Sequence, residues 1–132
     1  MNPPARRTGP PRLVAALAFA LATGAAMAQP PSPYRPITAQ ELYAGIMDGG
    51  LASWVQDPAQ RTMLSTLMAT SYILGIADTT NGKQWCPSST LDMEAMPAPV
   101  LDYLAHLPEE RRAEGAAGIV IEALARAHPC PK

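Results

Sequence analysis

The chain has 132 residues, a formal net charge of −1 and only two cysteines. That length supports one hydrophobic core, and the near-neutral balance lacks the clustered Lys and Arg of a nucleic-acid binder. With 15 prolines and 9 glycines the chain is heavily punctuated, so its regular elements must be short and well separated.

The first segment reads as an export signal. Arg6, Arg7 and Arg12 form a basic head, Leu13 to Ala22 an apolar stretch, and Ala26-Met27-Ala28 a small-x-small cleavage site before Gln29. The apolar stretch is too short to span a bilayer, which takes roughly 20 residues. Ala5, Thr8 and Gly9 around Arg6-Arg7 suit twin-arginine export poorly, so general secretion is expected, with a soluble periplasmic product and no membrane association after cleavage. Residues 1–28 hold three of the ten basic residues and none of the eleven acidic ones, so the remainder carries seven against eleven, a net −4.

Residues 29–36 (QPPSPYRP) are too proline-rich for regular structure and read as an extended arm. Residues 37–132 form the domain. Thr38-Ala39-Gln40-Glu41 is a capping box, followed by Leu42, Tyr43, Ile46 and Met47 at helical spacing and a stop at Gly49-Gly50. Leu51 to Gln56, with Trp54, fits one further turn. Asp57-Pro58 opens the next helix with a cap and a first-position proline, Gln60 completing a box. Along it Leu64, Leu67, Met68, Ser71, Tyr72 and Gly75 mark an apolar stripe, which Ile73 and Ile76 widen, predicting a buried central helix ending at Asn81-Gly82. The methionines read as core filler.

Lys83 to Ser89 is loop. Thr90 suits a cap for a third helix to about Leu107, yet Pro97 and Pro99 place the regular part after a separate turn. Glu109 to Arg112 reads as the polar start of a helix. Ala113, Ala116, Ala117, Val120, Ala123, Leu124 and Ala127 then define the last one, with Glu122 and Arg126 paired across a turn and small Gly115 and Gly118 permitting close helix approach. No segment alternates with period two. The expected fold is all-α: a single small bundle of four to five helices.

In an oxidising compartment, Cys86 and Cys130 most simply form a disulfide. The alternative is a thiol nucleophile with His128 or His106 as base, but His128-Pro129-Cys130 holds thiol and base in a proline-bound turn. No metal-spaced cluster or hydrolase motif occurs, so neither enzyme activity nor a cofactor is expected.

Residues 72–131 carry a further pattern: Tyr72-Ile73-Leu74-Gly75-Ile76-Ala77-Asp78, Gly82-Lys83-Gln84-Trp85-Cys86-Pro87, Tyr103-Leu104 with Pro108 and Arg111, and Ala123-Leu124 with Ala127-His128-Pro129-Cys130-Pro131. This resembles the Tai family, the immunity proteins of type VI secretion amidase effectors. Met93, Pro97, Pro99 and the Pro87-Ser88-Ser89 run depart from that pattern. The resemblance implies a periplasmic homodimer that occludes the active site of a secreted peptidoglycan amidase. The effector-binding residues it points to are Asn81, Lys83, Gln84, Trp85, Pro87, Ser88 and Ser89 on the disulfide-tethered loop, and Arg111 on the second turn. Trp85 fits a lid over the disulfide as well as a contact anchor, and Lys83 a merely solvated cation. A small periplasmic acid-stress chaperone, or an envelope-maintenance protein without an amidase partner, is the alternative function.

Overall fold

The computed structural model describes residues 33–87 and 91–132. The expected export signal, the first half of the proline-rich arm, and Ser88, Ser89 and Thr90 lie outside the described residues. The expectation of an all-α domain holds. Among the described residues, four helices, α1 (Ala39–Met47), α2 (Pro58–Thr80), α3 (Pro97–Ala105) and α4 (Ala116–Ala127), are accompanied by 3₁₀ turns at Gly50–Ala52 and Glu109–Arg111. Among the described residues there is no strand.

α1 begins as its capping box predicts: Glu41 N–H donates to Thr38 Oγ1 at 3.2 Å, and Thr38 N–H donates to Glu41 Oε2 at 2.8 Å. The two amides before Glu41 are also satisfied, but by a distant part of the chain. Ala39 N–H donates to the Glu114 carbonyl at 2.9 Å and Gln40 N–H to that of Arg112 at 3.0 Å, while Ala116 N–H returns to Ile37 O at 2.9 Å. Helix starts leave such donors without intrahelical partners. Here the approach to α4 supplies the acceptors.

α2 starts on Asp57, whose Oδ1 accepts from Gln60 N–H at 2.8 Å; the cap is this single bond rather than a reciprocal box. Its buried face differs from the expected stripe. Ser65, Ala69, Ile73 and Ala77 face the core, while Leu67, Met63 and Met68 are 61%, 70% and 38% exposed. The reason is close packing. α2 touches α1, α3 and α4, and the ridge nearest them carries small side chains, leaving the long ones on the outer side. Ser65 shows how tight this is: its hydroxyl donates to Gly45 O at 2.6 Å and accepts Leu51 N–H at 3.0 Å. A Cβ on Gly45 would lie 2.6 Å from Leu51 Cγ. Met47 and Met93 are exposed as well, so of the expected filler methionines only Met96 packs against the core.

α3 begins at Pro97 after a turn over Asp92–Met96, as its two prolines require. Val100 and Leu104 from α3 meet Ile119, Val120 and Leu124 of α4, with Leu42 and Ile73 completing the centre. α4 starts at Ala116 with Gly115 as its cap residue, one turn later than the alanine spacing implies. The Glu109–Arg111 stretch is a separate 3₁₀ turn rather than the start of that helix. Cys86 and Cys130 form the expected disulfide, 44 positions apart.

Candidate functional site

The loop that follows α2 is built on Trp85. Its indole is 1% exposed and its Nε1–H donates to Ala77 O at 3.0 Å, so the ring fills space beneath the end of α2. His128 packs on it with ring centroids 5.9 Å apart. One residue on, Cys86 N–H donates to His128 O at 2.9 Å and the sulfur joins Cys130. Before it, Gly82 N–H donates to Trp85 O at 2.9 Å, with Gly82 at φ +71°, a left-handed conformation suited to glycine. Lys83 and Gln84 amides both donate to Thr80 O.

Each sequence-predicted contact residue therefore has a definite place. Asn81, Lys83 and Gln84 are exposed on the loop's outer turn, and Pro87 is half-buried beside the disulfide. Trp85 is buried, which matches its reading as a lid rather than a side chain offered to solvent. Ser88 and Ser89 lie outside the described residues. Asp78 is exposed at the end of α2 and makes no ion pair among the described residues.

Arg111 belongs to a different place, between α3 and α4. All five of its N–H donors have an acceptor. Nε bonds Glu114 Oε1 at 2.8 Å; Nη2 bonds Glu114 Oε2 at 3.0 Å and Glu122 Oε2 at 2.8 Å; Nη1 bonds Glu122 Oε1 at 3.1 Å and Tyr103 Oη at 3.3 Å. Tyr103 Oη in turn donates to Glu122. Arg111 pulls the Glu122 carboxyl down to about 2, and Glu122 pushes the Tyr103 hydroxyl up. The guanidinium is thus a clamp holding the 3₁₀ turn against both helices. The expected Glu122–Arg126 pair gives way to it: Glu122 turns to Arg111, and Arg126 lies over the Tyr103 ring at 5.9 Å. Beside the clamp a cleft of about 600 Å³ opens between α3 and α4, with Leu107 and Ala123 buried in its wall and Asp102, His106 and Arg126 exposed around it.

A small helical domain with a disulfide-stapled loop and a charged clamp is what these features define. A model of the Rap1a immunity proteins matches residues 38–130, and the chain belongs to that family, one of type VI immunity. No individual curated protein matches. The type VI immunity class implied by residues 72–131 thus holds, and the matching family model carries the Rap1a name.

Proposed function

We propose that this protein is exported to the periplasm, where it binds a type VI peptidoglycan amidase effector and blocks its active site. The observation that carries this is the family match, which spans the whole described fold from the α1 cap to the second cysteine. Two features agree with it. Residues 1–28 have the composition of a cleavable signal, and the disulfide is at home only in an oxidising compartment. Obstruction requires a surface that keeps its shape on binding, and rigidity lowers the entropy lost in the complex. The loop from Asn81 to Pro87 has that property, being fixed on one side by Trp85 and on the other by Cys86. Lys83 and Gln84 are then the side chains offered to the effector. No chemistry is asked of the domain, which acts as an inhibitor and not as an enzyme.

The outer face of α2 supports a homodimer. Met63 and Leu67 are exposed there, and Cβ atoms on Gly75 and, in α4, Gly118 would meet nothing. Apolar exposure of this kind marks contact surfaces.

The deciding experiment is co-purification with a type VI peptidoglycan amidase from the same genome, followed by a cell-wall hydrolysis assay. A stoichiometric complex and loss of hydrolysis are expected. If the protein neither binds nor inhibits that amidase or related ones at micromolar concentration, the amidase reading is wrong.

A further inference from the structure

Arg126, on the rim of the cleft between α3 and α4, makes no ion pair among the described residues. We propose that this cleft is a second docking site for a protein partner, which fills it with an apolar side chain next to a carboxylate paired with Arg126. The inference rests on the reading of the protein as a protein binder, but on different residues.

Size and lining come first. About 600 Å³ is room for one or two side chains, within the roughly 300–1,000 Å³ of ordinary binding clefts. Leu107 and Ala123 give it an apolar, buried wall. The polar groups around that wall then decide what enters. Arg111 has no donor to spare, since Glu114, Glu122 and Tyr103 take all five. Arg126 is different. Among the described residues no carboxylate lies within ion-pair distance of it, and Glu122, one turn earlier, is committed to Arg111. Its guanidinium rests over the Tyr103 ring, a contact that restricts its rotamers while leaving its N–H groups open.

An uncharged partner closing over this cleft would strip water from Arg126 and return nothing, which costs free energy. A partner carboxylate removes that cost, and a planar guanidinium receives it through two parallel bonds. Asp102 fixes the orientation. It is exposed on α3 beside His106 Nδ1, 3.6 Å away, and repels a second carboxylate. Glu122 on α4 is held by Arg111, so the incoming acid meets its free donors at Arg126.

The test is a titration of the purified protein, followed by amide chemical shifts, with acetyl-Leu-Glu-amide and its neutral counterpart acetyl-Leu-Gln-amide. The acidic peptide is expected to give saturable shifts confined to the end of α3, the 106–111 turn and the end of α4. The neutral peptide should bind about fivefold more weakly, the size of a good surface ion pair. Arg126→Gln should erase that difference, and Arg126→Lys should keep part of it. Equal binding of the two peptides, shifts centred elsewhere, or no saturable shift at millimolar peptide would each overturn the proposal. The two readings fail separately. An amidase complex unaffected by Arg126→Gln keeps the immunity reading and removes this site. Charge-selective peptide binding without any amidase complex does the reverse.

Discussion

Replacing Trp85 by alanine tests the central claim about the loop, that a core-seated indole shapes it. The side chain is 1% exposed, and an aromatic of this kind buries roughly 150–250 Å². Alanine would return about three-quarters of that, roughly 150 Å², which at about 25 cal/mol per Å² is about 4 kcal/mol. The lost indole bond adds about 1 kcal/mol. No orphan is created, because Ala77 O still accepts Asn81 N–H at 2.9 Å. The disulfide next door limits how far the loop can collapse into the void, so little of the cost is recovered. The expected loss is about 4–5 kcal/mol, a large part of a small domain's stability. Trp85→Phe keeps most of the ring area and should cost about 2 kcal/mol. Urea unfolding followed by far-UV circular dichroism measures both, and hydrogen exchange at Gly82 and Cys86 should quicken first. A loss below about 1 kcal/mol for the alanine variant, with exchange unchanged, would mean that Trp85 does not hold the loop.

Three further outcomes follow from the packing and charges. Converting Cys86 and Cys130 together to alanine should cost about 4 kcal/mol in the same unfolding assay, the loop-closure value for a 44-residue separation. Ser65→Ala should cost about 2 kcal/mol, because Leu51 N–H loses its acceptor in a space too tight for water; thermal unfolding would show it. Glu122 and Glu41 titrate at about 2, held down chiefly by Arg111 and Arg35, and Arg111 also lowers Glu114. Carboxyls lowered in the folded state stabilise it above their unfolded value and lose that contribution as they protonate. Stability should therefore be level above about pH 4.5 and fall as pH drops towards 2, and Arg111→Met should flatten that fall.

What the sequence revealed depended on how local each feature is. The caps at Thr38 and Asp57 involve residues three apart, and both form, although Gln60 does not complete a box at Asp57. The proline pair at 97 and 99 likewise placed the start of α3. The face of α2 was misread because hydrophobicity records size and apolarity, whereas a helix with three neighbours is oriented by what fits between them. Ala69 and Ser65 win that place over Leu67 and Met68. Arg111 was visible as a notable residue, but its five acceptors come from three segments, so sequence spacing instead paired Glu122 with Arg126. Of the predicted contact residues, Lys83 and Gln84 are exposed, while Trp85 acts from inside.

The backbone pairing that caps α1 has a consequence for the order of assembly. Gln40 and Arg112, joined by both backbone and side chain, are 72 positions apart, and the staple at Cys86 waits for Cys130. Helical bundles usually fold through local contacts and fold fast. In this chain both closures wait for residues 112–130. A chain still missing that stretch has helices without a finished first cap and a tryptophan loop without its second anchor. Binding competence should thus arrive late and all at once, with completion of the last helix.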